Sequence, residues 1–398
     1  MVKWHVHTML ARIVATIKVV TLNLQKLERM NSEPIGQGEL DQPDDLLTEG
    51  LDQQCSERTI RVLVDGHGGD AAPEMILDAL EQVLSPSFAS QFSIPLIFGI
   101  VGQEDLLRPL LEQHDMSDRV DLIASTDVIG MCDAPALAMR RKKESSMHVG
   151  ARLVRDGSWD ALVSAGNTGA LMAISKFMLK TLPGIDRPAI ASMIPAVHGG
   201  RTLMLDAGAN SECTSDHLVQ FAMMGSCYMQ AAEGIDLPRV GLLNIGSEDI
   251  KGTDVVKLTA TKLAATALNY IGNVEGTDLF SDRVDVVVCD GFVGNIALKT
   301  MEGTARFLAD NMRAELTSSV VAKTGALLAR SALNRFKDKV NPGKYNGAPL
   351  LGLNGIVVKS HGGADADSFS CAIAVACREV DQKLTDRITE SVQELMES

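Results

Sequence analysis

From about residue 59 onward, apolar residues follow two alternating rhythms along this chain. Short, mainly apolar runs at residues 60–65, 96–101, 120–124 and 161–164 have the length of buried strands. Similar runs at 189–194, 202–206, 240–245, 270–273, 284–289 and 356–359 extend the series. Between them, apolar residues return every three or four positions, as Leu171, Ile174, Phe177, Met178 and Leu182 do after Ala170. That spacing predicts helices over 73–84, 106–113, most of 134–156, the segment from 170, 215–232, 254–267, 294–338 and 366–396. Such alternation predicts an α/β fold, a mostly parallel sheet with helices on both faces. Binding sites in such sheets lie beyond the carboxyl ends of strands.

Five predicted strands run out into small polar turns. They are Val64-Asp65-Gly66-His67-Gly68-Gly69-Asp70, Ser164-Ala165-Gly166-Asn167-Thr168-Gly169, Leu205-Asp206-Ala207-Gly208-Ala209-Asn210, the segment from Asn244 to Gly252, and Cys289-Asp290-Gly291-Phe292-Val293-Gly294-Asn295. In a parallel sheet all five gather on one edge. The second turn opens a helix, whose unpaired N–H groups and positive dipole end suit an anion such as phosphate. Asn167 and Thr168 add donors there without negative charge. Taken alone, the same turn reads as an ordinary helix cap. Asp65, Asp70, Asp206 and Asp290 are of a type that holds divalent metals, yet strand-end aspartates more often cap turns and helices. No metal site is expected. The chain lacks a Gly-x-Ser-x-Gly elbow, a Gly-x-x-x-x-Gly-Lys-Ser/Thr loop and a Gly-x-Gly-x-x-Gly after its first strand. Serine hydrolases, nucleoside triphosphatases and dinucleotide enzymes thereby lose their main signatures.

Composition narrows the picture. The 398 residues are 45% hydrophobic but only 4% aromatic, which suits a sheet rich in Val, Ile, Leu and Ala. A net charge of -14 argues against nucleic acid as the main partner. Seven scattered cysteines without a Cys-x-x-Cys pair fit reduced thiols, and no apolar run reaches the ~20 residues of a spanning helix. A cytoplasmic protein is expected. Residues 1–30 are basic and carry a helical apolar stripe, which reads either as a membrane-surface or targeting segment or as an over-extended reading frame before Met30. Residues 31–58 read as a disordered leader, so 1–58 form an extension and 59–398 the compact domain. Two basic patches interrupt the acidic whole: Arg140, Arg141, Lys142 and Lys143, and residues 316–364, which include Arg330 and Arg335. The second patch also holds Val320, Val321, Leu327, Leu328 and Phe336. It fits core packing or a dimer contact, or else an amphipathic surface for anionic lipid or carrier protein.

Eight ordered motifs carry a resemblance. Asp-x-x-Gly-Gly-Asp, Arg-Arg-Lys-Lys-x-Ser-Ser-Met, Ser-Ala-Gly-Asn-Thr-Gly-Ala, Gly-Ile-Asp-Arg-Pro-Ala, Leu-Asp-x-Gly-Ala-Asn, Asn-Ile-Gly-x-Glu-Asp-x-Lys-Gly, Cys-Asp-Gly-Phe-Val-Gly-Asn and Lys-Ser-His-Gly run from Asp65 to Gly362, within a likeness that covers about residues 59–390. In this order they resemble the bacterial phosphate acyltransferases of phospholipid synthesis. The resemblance implies a three-layer α/β/α sandwich like that of phosphotransacetylases and isopropylmalate dehydrogenases. It also implies transfer of a fatty acyl group from acyl-acyl carrier protein to inorganic phosphate, with no cofactor, in a homodimer peripheral to the inner face of the cell membrane. It places a catalytic lysine at Lys251 and a polarising amide at Asn295. His361 is then a candidate donor to phosphate or to the leaving sulfur, and Asp65, Gly68, Gly69, Asn167, Thr168, Gly169, Asp206, Asn210 and Asp290 are candidates for phosphate or substrate binding. The acidic carrier protein offers a use for Arg140–Lys143 in electrostatic steering. One departure stands out: the first motif usually reads Asp-Ala-Met-Gly-Gly-Asp, whereas Gly66 and His67 occupy its middle here. That change bears on acyl preference and rate. Cys289 is either an acyl-accepting thiol or a buried strand cysteine. The rival functions are a hydroxy-acid dehydrogenase of the same fold and a non-catalytic scaffold at the membrane surface.

Overall fold

The computed structural model of the chain describes residues 58–397, so the expectations for the preceding extension lie outside the described residues. The chain opens with β1 (Ile60–Asp65), α1 (Glu74–Val83) and α2 (Pro86–Ala89), then β2 (Leu96–Gly102), α3 (Glu104–Gln113) and β3 (Val120–Ala124). Helices α4 (Pro135–Arg141) and α5 (Ser146–Arg155) lead to β4 (Ala161–Ser164) and α6 (Thr168–Leu179). Next come β5 (Ala189–Pro195), β6 (Arg201–Leu205), α7 (Ser215–Glu233), β7 (Val240–Leu243), α8 (Asp254–Leu263), β8 (Tyr270–Val274) and β9 (Val286–Val288). A helical arm of α9 (Gly291–Thr317), α10 (Val320–Leu328) and α11 (Arg330–Val340) follows. The chain closes with β10 (Ala348–Leu351), β11 (Ile356–Lys359), α12 (Ala366–Asp381) and α13 (Leu384–Glu397).

The eleven strands among the described residues form one sheet, in the order β3-β2-β1-β4-β11-β10-β5-β6-β9-β7-β8. Side-chain alternation builds a helical layer on each face. In β1, Val62 and Val64 enter a core shared with α1 and α12, while Leu63 enters one shared with α5 and α6. In β6 and β9, Leu203, Leu205, Val286 and Val288 pack with α7 and α13, and Met204 and Val287 continue the second core. α12 shows how the sequence makes such a helix. Phe369, Ala372, Ile373, Ala376, Cys377 and Val380 recur at helical spacing and are all buried, and Asp365 caps the start by accepting the Ser368 N–H at 2.9 Å. Burying a side chain as large as Phe369 contributes roughly 1.5–3 kcal/mol. No helix among the described residues is long and apolar enough to cross a membrane.

The single edge expected for the five turns does not form. β10 runs antiparallel to both β11 and β5, and β5 runs antiparallel to β6. These three reversals leave β6, β7, β8 and β9 running opposite to β1–β4 and β11. The turns after β1 and β4 therefore leave one edge, and those after β6, β7 and β9 leave the other. The strand responsible, β10, is only four residues long, holds Pro349 and sits in a basic stretch without a clear apolar run. Three predicted long helices are also broken. The region 294–338 stops at Ser318 and restarts where Ser319 caps α10, accepting the Ala322 N–H at 3.1 Å.

Candidate active site

Three neighbouring strands, β1, β4 and β11, end in buried polar residues: Asp65, Ser164 and Lys359. Alternation puts all three on the face of Leu63, Leu162 and Val357, toward α5 and α6. Ser164 Oγ donates to Asp65 Oδ2 at 2.6 Å and accepts the Gly166 N–H at 3.1 Å. Asp65 Oδ1 accepts the His67 N–H at 3.1 Å, so the first two turns interlock. A Cβ on Gly68 would stand 2.7 Å from Gly166 N, a distance that only glycine avoids. Gly69 continues this turn, and the Asp70 N–H donates to the Gly362 carbonyl at 2.8 Å, binding in the loop after β11. In that loop the His361 N–H donates to Asn346 Oδ1, and the ring Nδ1 accepts the Gly363 N–H at 3.1 Å. With Nδ1 accepting, the neutral ring carries its proton on Nε2 and can donate from there. Burial lowers the His361 pKa, Lys299 and Lys359 lower it further, and Glu302 and Asp70 oppose them. The ring is neutral at pH 7.

Asn167 is a cap. Its Oδ1 accepts the Ala170 N–H at 3.0 Å, while Nδ2 donates to the carbonyls of Met131 and Asp133 at 2.8 and 3.0 Å. Its amide is thus spent on structure, against the expectation that it cradles phosphate. The donors left at this helix start are the first-turn N–H groups of Thr168 and Gly169 and the exposed Thr168 hydroxyl.

On the other edge, Asp206 is wholly buried and its carboxylate accepts five hydrogen bonds. Oδ1 accepts from the N–H groups of Ile190, Gly208 and Ala209 at 3.0, 3.1 and 2.9 Å. Oδ2 accepts from the Asn210 N–H and Nδ2 at 2.7 and 2.9 Å, and Nδ2 also donates to the Pro188 carbonyl. Burial raises the Asp206 pKa despite these bonds. Asp206 and Asn210, expected to bind substrate, instead turn inward and shape the loop. Asp290 likewise caps α9, accepting the Val293 N–H at 2.9 Å. Gly294 follows, so tight that a Cβ would stand 1.9 Å from the Asp206 carbonyl oxygen. That close approach lays the next residue, Asn295, over Gly208, with its amide exposed and unpaired among the described residues.

Lys251 lies in the loop after β7, where its carbonyl accepts from Asn244 Nδ2 at 3.2 Å and its N–H donates to the Glu248 carbonyl at 3.0 Å. Its ammonium is exposed and unpaired among the described residues. β7 and β9 are adjacent, so Lys251 and Asn295 follow neighbouring strands. α9 joins this edge to the first. Asn295 and Lys299 are one turn apart on one helix face, and Lys299 is near enough to Lys359 and His361 to act on the charge of both. Cys289, just past β9, is buried, and burial with Asp206 and Asp290 pushes its thiol well up. A thiol held protonated is a poor acyl acceptor.

Comparison with known proteins decides the family. The model of the family described as "Fatty acid synthesis protein" matches residues 60–387. A phosphate acyltransferase of Magnetococcus marinus is 51% identical over 342 residues, covering 84% of this chain and 95% of that one. Another, from Janthinobacterium sp., is 47% identical over 344 residues, covering 85% and 94%. The chain belongs to the phosphate acyltransferase family. Among solved structures, a phosphotransacetylase from Streptococcus pyogenes aligns at TM-score 0.53 and 17% identity over 81% of this chain and 94% of its own. A branched-chain phosphotransacylase from Enterococcus faecalis aligns at TM-score 0.53 and 15% identity over 81% and 99%. These two support the fold expected from the resemblance.

Two residues singled out in the sequence have defined partners in this phosphate acyltransferase family member. His67 Nε2 accepts the Gln103 N–H at 2.9 Å, so the altered first motif is absorbed in a contact with the end of β2. Lys142 pairs with Asp133 at 2.5 Å and donates to the Val128 carbonyl, which holds the loop before α4. Arg140, Arg141 and Lys143 are exposed, as are Arg330 and Arg335 on α11. The candidate site residues from the sequence omit Lys299 and, except as the first residue of Lys-Ser-His-Gly, Lys359. Lys359 carried a signal: it is a charge closing the apolar run Ile356-Val357-Val358, immediately before Ser-His-Gly.

Proposed function

We propose that this phosphate acyltransferase moves a fatty acyl group from acyl carrier protein to inorganic phosphate, forming acyl phosphate and free carrier protein. The observation that carries the reading is a set of donors without a recorded partner among the described residues, the Lys251 ammonium, the Asn295 amide and the His361 Nε2–H, while the one nearby strand-end thiol, Cys289, is buried and protonated. Phosphate near neutral pH is itself an anionic nucleophile, so the protein has only to position it and stabilise the oxyanion. A phosphate oxygen attacks the thioester carbonyl, the tetrahedral intermediate collapses, and the C–S bond breaks. The thiolate leaves on the carrier protein and takes a proton from water. Lys251 neutralises the oxyanion and Asn295 Nδ2 donates to it. His361 and the first-turn N–H groups of α6 hold phosphate.

Arg140, Arg141 and Lys143 give the acidic carrier protein an electrostatic approach. The arm of α9–α11 leaves Phe307 at 65% and Leu308 at 60% exposure, a face suited to a second copy of the chain. At its turn, Val320, Val321 and Leu328 exceed 80% exposure near Lys323 and Arg330, a combination suited to an anionic membrane surface. The test of the reaction is phosphate-dependent release of carrier protein from a long-chain acyl-carrier protein. Wild type releases it with formation of acyl phosphate, Lys251→Ala does not, and Cys289→Ala does. Release that survives Lys251→Ala moves the catalytic charge elsewhere, and loss in Cys289→Ala favours an acyl-enzyme.

A further inference from the structure

Lys359 is 8% exposed, yet none of the ion pairs among the described residues includes it. Its Nζ donates to the carbonyl of the next residue, Ser360. An ammonium has three donors, so two remain unspent in a place largely closed to water. The charged groups around it are Asp65 at the end of β1, Asp70 in the turn beyond, Lys299 on α9, and His361 in its own loop with Glu302 near that ring. Asp65 is already engaged by Ser164 and by the His67 N–H. A buried cation without a paired anion is unfavourable, and proteins keep such groups mainly where a charged ligand completes them. Here the neighbours of Lys359 are the Ser164–Gly166 turn, the His361 loop and, through Lys299, the helix carrying Asn295.

We propose that Lys359 is the buried cation of the phosphate subsite, supplying the counter-charge to a phosphate held between the loop after β11 and the start of α6. This rests on the acyl-transfer reading above, and it adds a residue which that reading does not use. Burial pushes the Lys359 amine down to about 8, Lys299 adds to the fall, and Asp65 and Asp70 oppose it. The ammonium is therefore present below about pH 8 and lost above it.

The experiment varies inorganic phosphate at saturating acyl-carrier protein in wild type, Lys359→Met and Lys359→Arg. The phosphate KM rises about tenfold or more in Lys359→Met, the loss of a charge-assisted hydrogen bond, and only a few-fold in Lys359→Arg. The acyl-carrier KM does not move. In wild type the phosphate KM climbs as pH passes 8, and in Lys359→Met that climb is absent; a merely structural lysine would leave the pH profile intact. A wild-type phosphate KM and profile in Lys359→Met overturns the proposal. Thermal unfolding with added inorganic phosphate reads the site without turnover. Phosphate raises the Tm of wild type but not of Lys359→Met, or of Lys359→Gln should the methionine variant fail to fold. Equal shifts, or none in wild type, overturn the proposal. A Lys359-dependent shift in a wild type that transfers no acyl group would sink the acyl-transfer reading and leave this one standing.

Discussion

Replacing Lys359 by methionine should make the phosphate-free protein more stable at neutral pH. The side chain is 8% exposed and bonds to one carbonyl, so the protein carries a charge in a poorly solvated place. The cost follows from the fall of its pKa from the ordinary 10.5 to about 8. At about 1.4 kcal/mol for each pH unit, keeping the amine charged costs the fold about 3 kcal/mol. Methionine is of similar length and forfeits one charge-assisted hydrogen bond, worth roughly 1.5–3 kcal/mol, so the net gain is on the order of 1 kcal/mol. The sign of the pH dependence is fixed. Between about pH 8 and 10.5 the unfolded lysine still holds its proton and the folded one does not, so wild-type stability rises with pH through that window. Below pH 8 the whole cost is present; above 10.5 it is gone. Urea unfolding of both proteins at pH 7, 9 and 10.5 reads this directly. Lys359→Met should lead at pH 7, and its lead should shrink toward pH 10.5. A variant less stable than wild type by the same margin at every pH would refute the reasoning, because it would make Lys359 an ordinary packing residue.

Three further outcomes follow from the other edge and from the histidine loop. Asp206→Ala leaves four backbone N–H groups without their carboxylate partner, that of Ile190 buried and those of Gly208, Ala209 and Asn210 part-buried, and should lower the unfolding free energy by about 3 kcal/mol, measured by urea denaturation. Gly294→Ala forces a methyl into the Asp206 carbonyl and should cost about 3 kcal/mol and most of the acyl-transfer rate, because Asn295 moves off Gly208. Wild-type-like stability and activity in that variant would show that α9 is not seated there. The depressed His361 pKa means that the folded ring resists a proton the unfolded ring takes, so its stabilising contribution is full above the ordinary histidine range and fades as pH falls through it. Protonating Nδ1 removes its bond from the Gly363 N–H, so the rate should be flat near pH 7 and fall at lower pH, a limb missing from His361→Gln.

The sequence was most informative where periodicity and burial agree. β1, β4 and β11 lie on their predicted residues because each is a short, mainly apolar run buried on both faces, and β3 does so as a half-buried edge strand. It was least informative about direction. Nothing local in Ala348–Leu351 tells a strand's sense, and three antiparallel pairings around β10 and β5 divided a site expected on one edge. Residue type misled in a related way. Asp206, Asn210 and Asn167 have the chemistry of ligands, yet their polar atoms close turns, because a backbone N–H two to four residues away is a nearer partner than any substrate. Lys251, Asn295 and His361 kept a free donor each, and these were the residues singled out by motif.

The divided sheet sets a geometric problem that α9 answers. Acyl transfer needs the attacking oxygen within about 3–3.5 Å of the carbonyl carbon, but the phosphate loops and the Asn295 loop leave opposite edges of the sheet. A sheet edge cannot fix that distance. A helix can, since its rise is about 1.5 Å per residue and its face repeats every turn. α9 is clamped at its start, where the Gly291 N–H donates to the Asn210 carbonyl at 2.7 Å and Gly294 lies against Asp206. One turn past Asn295, Lys299 reaches the electrostatic neighbourhood of Lys359 and His361. On the proposed reading, the separation between the Asn295 amide and the part of α9 that faces Lys359 and His361 is set by one turn of helix, a rise of about 6 Å from Asn295 to Lys299. On this argument the glycine at 294 matters to the reaction although it touches no substrate, because the position of its carbonyl contact decides where the rod begins.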